Sequence, residues 1–217
     1  QFESEAIDNR IKSLPFQMTE EQKSAALSMV AQMTTAVSQH MMLIGDVGTG
    51  KSCVIGTCAA SVVDAGGRVA IMLPTSNLAR QLHREFSEYY PDISPTLVIE
   101  GEIIEEISQC RMLIGTTAII HKQWPFTFDL AVVDEQHKFE SSQIDEVLDI
   151  VVDDDDGKPF QKPLPELEVE PCCMSEVRFM SERANVISSV NSRSEPTGIP
   201  RAILEVLTLN SSILRAM

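Results

Sequence analysis

Three features of the sequence predict an α/β fold, a parallel sheet with helices on both faces. Short apolar runs alternate with helix-compatible stretches from residue 19 to residue 139. A glycine-rich octapeptide, residues 45–52, stands between the first apolar run and the helical stretch after it. A later apolar run, residues 130–133, ends on two consecutive acids, Asp134 and Glu135. Strands buried on both faces read as unbroken apolar runs rather than as alternation, which is the pattern seen here.

Taken in order, residues 19–37 place Ala26, Met29, Val30, Met33 and Val37 at helical spacing and predict a helix. Residues 41–44 predict a short buried strand, 51–63 a helix and 68–73 a strand. Residues 77–89 predict a helix, and 96–99, 112–114 and 130–133 predict three further strands. The composition changes after Phe139. Residues 140–170 hold four aspartates at 153–156, then Gly157, Pro159, Pro163 and Pro165, which predicts an exposed, poorly ordered loop. The four aspartates read as a solvated acidic run, since no spacing gathers their carboxylates around one ion. From Arg183 order is expected to return, with a strand over 184–190 and a helix over 201–209. The 217 residues suit a single domain, 1–217, carrying an acidic, proline-containing insertion over 144–183.

Hydrophobic residues make up 43% of the chain, enough for a sizeable core. No run is long and apolar enough to span a membrane, and the start at Gln1 lacks the pattern of a secretory signal. The five cysteines, Cys53, Cys58, Cys110, Cys172 and Cys173, have neither disulfide nor zinc-site spacing; free thiols fit a reducing cytoplasm. The net charge of -15 argues against a surface that holds nucleic acid by charge alone. Much of that acidity lies in residues 140–170.

Gly45-Asp46-Val47-Gly48-Thr49-Gly50-Lys51-Ser52 fits G-x-x-x-x-G-K-[ST] in full, after a strand and before a helix. Glycines let successive backbone N–H groups face a phosphate chain, and the helix start adds its positive dipole end. Lys51 supplies a point charge for the β- and γ-phosphates of ATP, and the Ser52 hydroxyl a ligand for Mg²⁺. Glycine is about 7% of residues in general, so a chance match in a chain this long is on the order of 1%. Downstream, Asp134 ends its apolar strand where a carboxylate binds Mg²⁺, and Glu135 is placed to activate or orient an attacking water.

Asp134-Glu135-Gln136-His137 resembles the DExH box of superfamily 2 helicases, and with Lys138-Phe139 it is similar to the D-E-Q-H-R-F of RecG-like branched-DNA helicases. Residues 14–22 resemble the family's L-P-F-x-L-T-x-x-Q entry, and residues 73–83 its A-P-T-x-x-L-A-x-Q-H segment. Residues 114–119 are similar to I-V-G-T-H-A-I. The resemblance runs from about residue 11 to residue 143 and implies the first RecA-like motor domain of such a helicase. It implies that Gln22 reads the adenine edge with Phe16 packed on the base, and that His137 joins Lys51, Asp134 and Glu135 in the catalytic set. It further implies that Pro74, Thr75, Gly115 and Thr116 meet the nucleic-acid backbone. Beyond residue 143 the match decays: Thr197-Gly198-Ile199-Pro200-Arg201 keeps only part of the family's T-A-T-P-I-P-R, with Ser188 and Ser189 as candidates for the preceding hydroxyls.

Such motors hold ATP between two RecA-like lobes, and an arginine from the second is worth roughly 10³–10⁵ in rate in related enzymes. No second lobe fits within 217 residues. The expectation is therefore an ATP·Mg²⁺-binding lobe of a helicase or translocase acting on branched, forked or single-stranded DNA. It hydrolyses slowly until a second lobe, in the same chain or a partner, joins it. A non-motor ATP-gated adaptor and an RNA helicase lobe stand as alternatives. A small-molecule kinase would leave the Gln22 and Thr75 segments without a role.

Overall fold

The computed structural model describes residues 4–33, 39–102, 104, 107–151, 177–179 and 202–209. Helices α1 (Ser4–Ser13) and α2 (Glu20–Met33) lead to strand β1 (Gln39–Asp46), and a glycine loop turns β1 into α3 (Lys51–Asp64). Then follow β2 (Val69–Met72), α4 (Ser76–Tyr89), β3 (Thr96–Val98), β4 (Met112–Gly115), β5 (Leu130–Asp134) and α5 (Ser141–Val151). Strands β6 (Val177–Phe179) and β7 (Ala202–Leu209) complete the described chain.

The described strands form one sheet in the order β3-β4-β2-β5-β7-β1-β6. All pairs are parallel except β6 on β1. Successive strand residues point to opposite faces. Val69, Ile71, Met112, Ile114, Leu130 and Val132 therefore pack with the helices α1 to α4. Ala70, Met72, Leu113, Ala131 and Val133 pack on the other side with Phe128 and with Val147 and Val151 of α5. The predicted class, a parallel sheet with helices on both faces, is the one observed.

Local chemistry explains the helices that matter most. Residues Cys53 to Val62 of α3 are all buried, because α3 lies between the sheet and the pair α1 and α2. Thr19 and Gln22 form a reciprocal cap at the start of α2: Gln22 N–H donates to Thr19 Oγ1 at 3.3 Å, and Thr19 N–H to Gln22 Oε1 at 2.9 Å. Thr75 caps α4 by accepting from Leu78 N–H, and Ala79, Leu82 and Phe86 form the buried stripe of that helix. Among the described residues no helix is long and apolar enough to cross a membrane.

Two expectations need correction. Residues 202–209 are a strand, not a helix; β7 inserts between β5 and β1 and pairs with both. A short, mostly apolar run broken only at Glu205 and Thr208 carries no periodicity that separates the two, and here the pairing slot decides. Residues 141–151 are a helix, not part of a loop, because Val147 and Val151 bury one face against the sheet. The helix α1 and strand β6 were not foreseen. Val37, Cys172, Cys173, the aspartates at 153–156, the expected strand 184–190 with Ser188 and Ser189, and residues 197–201 lie outside the described residues.

Candidate nucleotide-binding site

The loop after β1 takes its shape from Gly48 and Gly50, at φ 80° and 77°, a region that residues with a Cβ avoid. Thr49 closes it, with Oγ1 donating to the Asp46 carbonyl at 2.9 Å. Val47 projects from the tip, 74% exposed. Lys51 folds back over the loop and its ammonium donates to the carbonyls of Gly45 and Asp46, both at 2.8 Å. Burial holds this amine below its usual range, while the charges of Asp134, Glu135 and Asp46 pull it back up. Ser52 follows, half-buried in the first turn of α3.

The register places the acids beside this loop. Asp134 pairs with Val206 of β7, and Val206 pairs with Leu43 of β1. Asp134 therefore ends its strand level with Leu43, two strand spacings or roughly 10 Å across the sheet, on the same edge as the loop. Burial first, and then the charge of Glu135, push the Asp134 carboxyl up to about 6; Lys51 and Lys138 act the other way. Glu135 sits at φ 57° and starts a 3₁₀ turn, Gln136–Lys138. Its N–H donates to Asp134 Oδ1 at 3.0 Å. Its Oε2 lies 3.5 Å from His137 Nε2 and 3.5 Å from Lys138 Nζ. Among the described residues no group of three His, Cys, Asp or Glu is placed to cage a metal. A hydroxyl and one carboxylate, as Ser52 and Asp134 offer, suit Mg²⁺, whose remaining ligands are phosphate oxygens and water.

Gln22 joins the loop from the other side. Its Nε2 donates to the Thr49 carbonyl at 2.8 Å. A Cβ on Gly50 would stand 2.3 Å from that nitrogen, so the close approach needs glycine there. With the cap to Thr19, each end of the amide holds one partner and keeps one N–H and one lone pair, the pattern that pairs with an adenine edge. Phe16, 37% exposed, meets Tyr89 edge-on at 5.2 Å between ring centres.

The remaining candidates sit at the ends of β2 and β4. Thr75 is exposed as the cap of α4, next to half-buried Pro74. Gly115 is buried, and a Cβ there would come within 1.9 Å of the Val98 carbonyl oxygen. What Gly115 supplies is this contact between β3 and β4, after which Thr116 N–H donates to Val98 O at 3.1 Å. Thr116 Oγ1 accepts from Ala118 N–H at 3.4 Å. The hydroxyl edges a hollow of about 490 Å³ between residues 98–102 and 116–122. Arg80 and Glu102 form an ion pair at 3.0 Å near its rim.

Residues 19–164, most of the chain, match the DEAD/DEAH box helicase family. The chain belongs to this family. The helicase lobe is 32% identical to the ATP-dependent DNA helicase RecG of Helicobacter pylori over 149 residues, 64% of this chain and 23% of that protein. It is 29% identical to RecG of Staphylococcus aureus over 153 residues, 65% of this chain and 22% of that protein. It thus spans less than a quarter of the length of these curated relatives. In fold it is similar to RecG bound to a three-way DNA junction, with a TM-score of 0.60 and 22% identity over 99% of this chain and 24% of that one. It is similar also to S. cerevisiae Dbp5 bound to RNA and ADP BeF3, with a TM-score of 0.59 and 13% identity over 97% of this chain and 46% of that one. The fold is that of a RecA-like helicase lobe.

In this helicase lobe the sheet brings Lys51, Ser52, Asp134 and Glu135 to one edge, and Gln22 is tied to the same loop. His137 stands beside Glu135 with its side chain half exposed. Phe16 lies against α4 through Tyr89. Sequence reasoning missed the Thr49 carbonyl as the partner of Gln22, Lys138 as a neighbour of Glu135, and the pair Arg80–Glu102. Only Lys138 left a trace in the sequence, three residues after Glu135 at the spacing of one turn.

Proposed function

We propose that this chain is the ATP-binding motor lobe of an ATP-dependent DNA helicase or translocase, acting on branched or forked DNA together with a second RecA-like lobe. The observation that carries the proposal is the shared edge on which the glycine loop, Lys51 and the Asp134–Glu135 pair meet. The loop amides of 45–50 and the start of α3 bind the phosphates. The Lys51 ammonium gives up the carbonyls of Gly45 and Asp46 for β- and γ-phosphate oxygens. Ser52 and Asp134 hold Mg²⁺, which when bound neutralises charge on the phosphates. Glu135 takes a proton from the attacking water, and His137 and Lys138 hold its carboxylate. Gln22 reads the adenine edge beside Phe16. Pro74, Thr75 and Thr116 line the nucleic-acid face, with Gly115 setting the position of Thr116; hydroxyl and backbone contacts position a strand without reading its sequence. The second lobe supplies the transition-state cation. We assign the protein to the cytoplasm, where the thiols of Cys53, Cys58 and Cys110 stay reduced.

Strand displacement by the full-length protein tests this reading, on forked DNA, linear duplex DNA and forked RNA of one sequence. ATP-dependent displacement of the DNA fork above the other two, lost in Lys51→Ala, is expected. Preference for the RNA fork would move the lobe to an RNA helicase. ATP binding with displacement of none of them would make it an ATP-gated adaptor.

A further inference from the structure

Residues 10–22 lie antiparallel along α3 for its whole length. Arg10 meets Asp64, the last residue of α3, with Nε to Oδ2 at 2.6 Å and Nη2 to Oδ1 at 2.5 Å. Further along, Thr57 Oγ1 of α3 approaches Met18 Sδ at 3.8 Å. At the other end Gln22 reaches Thr49, just before α3. Leu14 and Met18 are buried between the contacts of Arg10 and of Gln22. The 14 residues of α3 span about 21 Å at 1.5 Å per residue, so this strap joins the foot of the helix to its phosphate loop.

Arg10 holds more than one helix. Its Nη1 and Nη2 also donate to Asp92 Oδ1 and Oδ2, at 3.0 and 2.6 Å, in the turn after α4. The Arg10 side chain is only 16% exposed, and its guanidinium is forked onto two carboxylates from two elements. Single exposed pairs are worth little, but a planar fork satisfied on both sides fixes position as well as charge. An axial slip of α1 along α3 breaks that geometry. Without the fork the slip is opposed mainly by apolar contacts, which are non-directional. The far end of the same strap is the Gln22 amide, whose remaining N–H and lone pair must face a base to within a few tenths of an ångström.

We infer that Arg10 is a positioning residue for nucleotide recognition, acting through the strap to set Gln22 over the phosphate loop. The inference rests on the proposed ATP site. It assigns part of the proposed contact of Gln22 with the adenine edge to a salt bridge at the opposite end of α3.

Calorimetric binding of ADP and of pyrophosphate to the full-length protein tests it, in wild type, Arg10→Gln, Arg10→Lys, Gln22→Ala and the double variant Arg10→Gln/Gln22→Ala. ADP uses Gln22 and the loop; pyrophosphate uses the loop alone. Arg10→Gln is expected to weaken ADP about 5–10-fold, leaving pyrophosphate unchanged, and to add nothing in the Gln22→Ala background. Arg10→Lys keeps the charge without the fork and is expected to behave like Arg10→Gln. Asp92→Asn removes one arm of the clasp and serves if the Arg10 variants fold poorly; about a 2–3-fold loss for ADP alone is expected. Equal losses for ADP and pyrophosphate, or an Arg10 effect that adds in full to Gln22→Ala, would make the clasp merely structural and overturn the inference. If wild type binds neither probe, the nucleotide site itself is wrong and the inference falls with it.

Discussion

Lys51 and Asp134 are held in states that favour a ligand over the resting fold. The Lys51 ammonium rests on two carbonyls that a phosphate chain would displace. The Asp134 carboxyl is buried beside Glu135 and pushed up to about 6 from an ordinary 3.8. Because the folded value is the higher, the fold is penalised above pH 6, where the folded carboxylate must ionise, and the penalty fades as pH falls towards 3.8. Asp134→Asn, which keeps the carbonyl that accepts from Glu135 N–H, is therefore expected to stabilise the metal-free protein by about 1–2 kcal/mol at pH 8. Urea unfolding without Mg²⁺ at pH 8 and at pH 4 checks this; the gain should nearly vanish at the lower pH. At this scale the sequence was highly legible for the octapeptide, because Gly48 and Gly50 occupy positive φ and few other residues can. It was silent on the contact between Gln22 and Thr49, which are 27 residues apart and meet only through the packing of α2 on α3.

At the scale of elements, close approach gives Gly115 a packing role that the motif alone does not reveal. Gly115 resembles a residue that offers backbone to nucleic acid, yet it is buried where β4 passes the Val98 carbonyl. A carbonyl inside a strand pairing cannot swing aside as the tip of a flexible side chain can. Gly115→Ala is expected to cost about 2–3 kcal/mol in urea unfolding, in the range of overpacked cores, and to displace Thr116. Strands β2, β4 and β5 were readable because each is a short apolar run between turn signals. The eight residues of β7 were not, since their apolar run suits either element until β5 and β1 claim it from both sides. The helix α5 was hidden by acids around it: Val147 and Val151 form a buried stripe too short to stand out in an acidic stretch.

For the molecule as a whole, the sheet order makes the site. With β7 between β1 and β5, the end of β1 and the end of β5 lie on one edge, and neither strand alone predicts that proximity. The net charge of -15 limits what this lobe contributes to DNA affinity by charge, and Arg80 near the hollow is already paired with Glu102. The contacts proposed for that purpose are hydroxyls and backbone groups, which position a strand. The matched stretch covers 23% and 22% of the two RecG relatives, which leaves room in them for the second lobe proposed above.

The central claim is that Lys51 and Glu135 perform different parts of one ATP-hydrolysing cycle. Turnover of Mg·ATP by the full-length protein, with and without forked DNA, tests it most directly when read beside nucleotide binding in Lys51→Ala and Glu135→Gln. The account predicts DNA-stimulated turnover in wild type. It predicts that Lys51→Ala loses binding and turnover together, and that Glu135→Gln binds ATP near normally while turnover falls about 10²–10⁴-fold. Turnover that survives Glu135→Gln unchanged, or ATP binding that ignores Lys51→Ala, would contradict it.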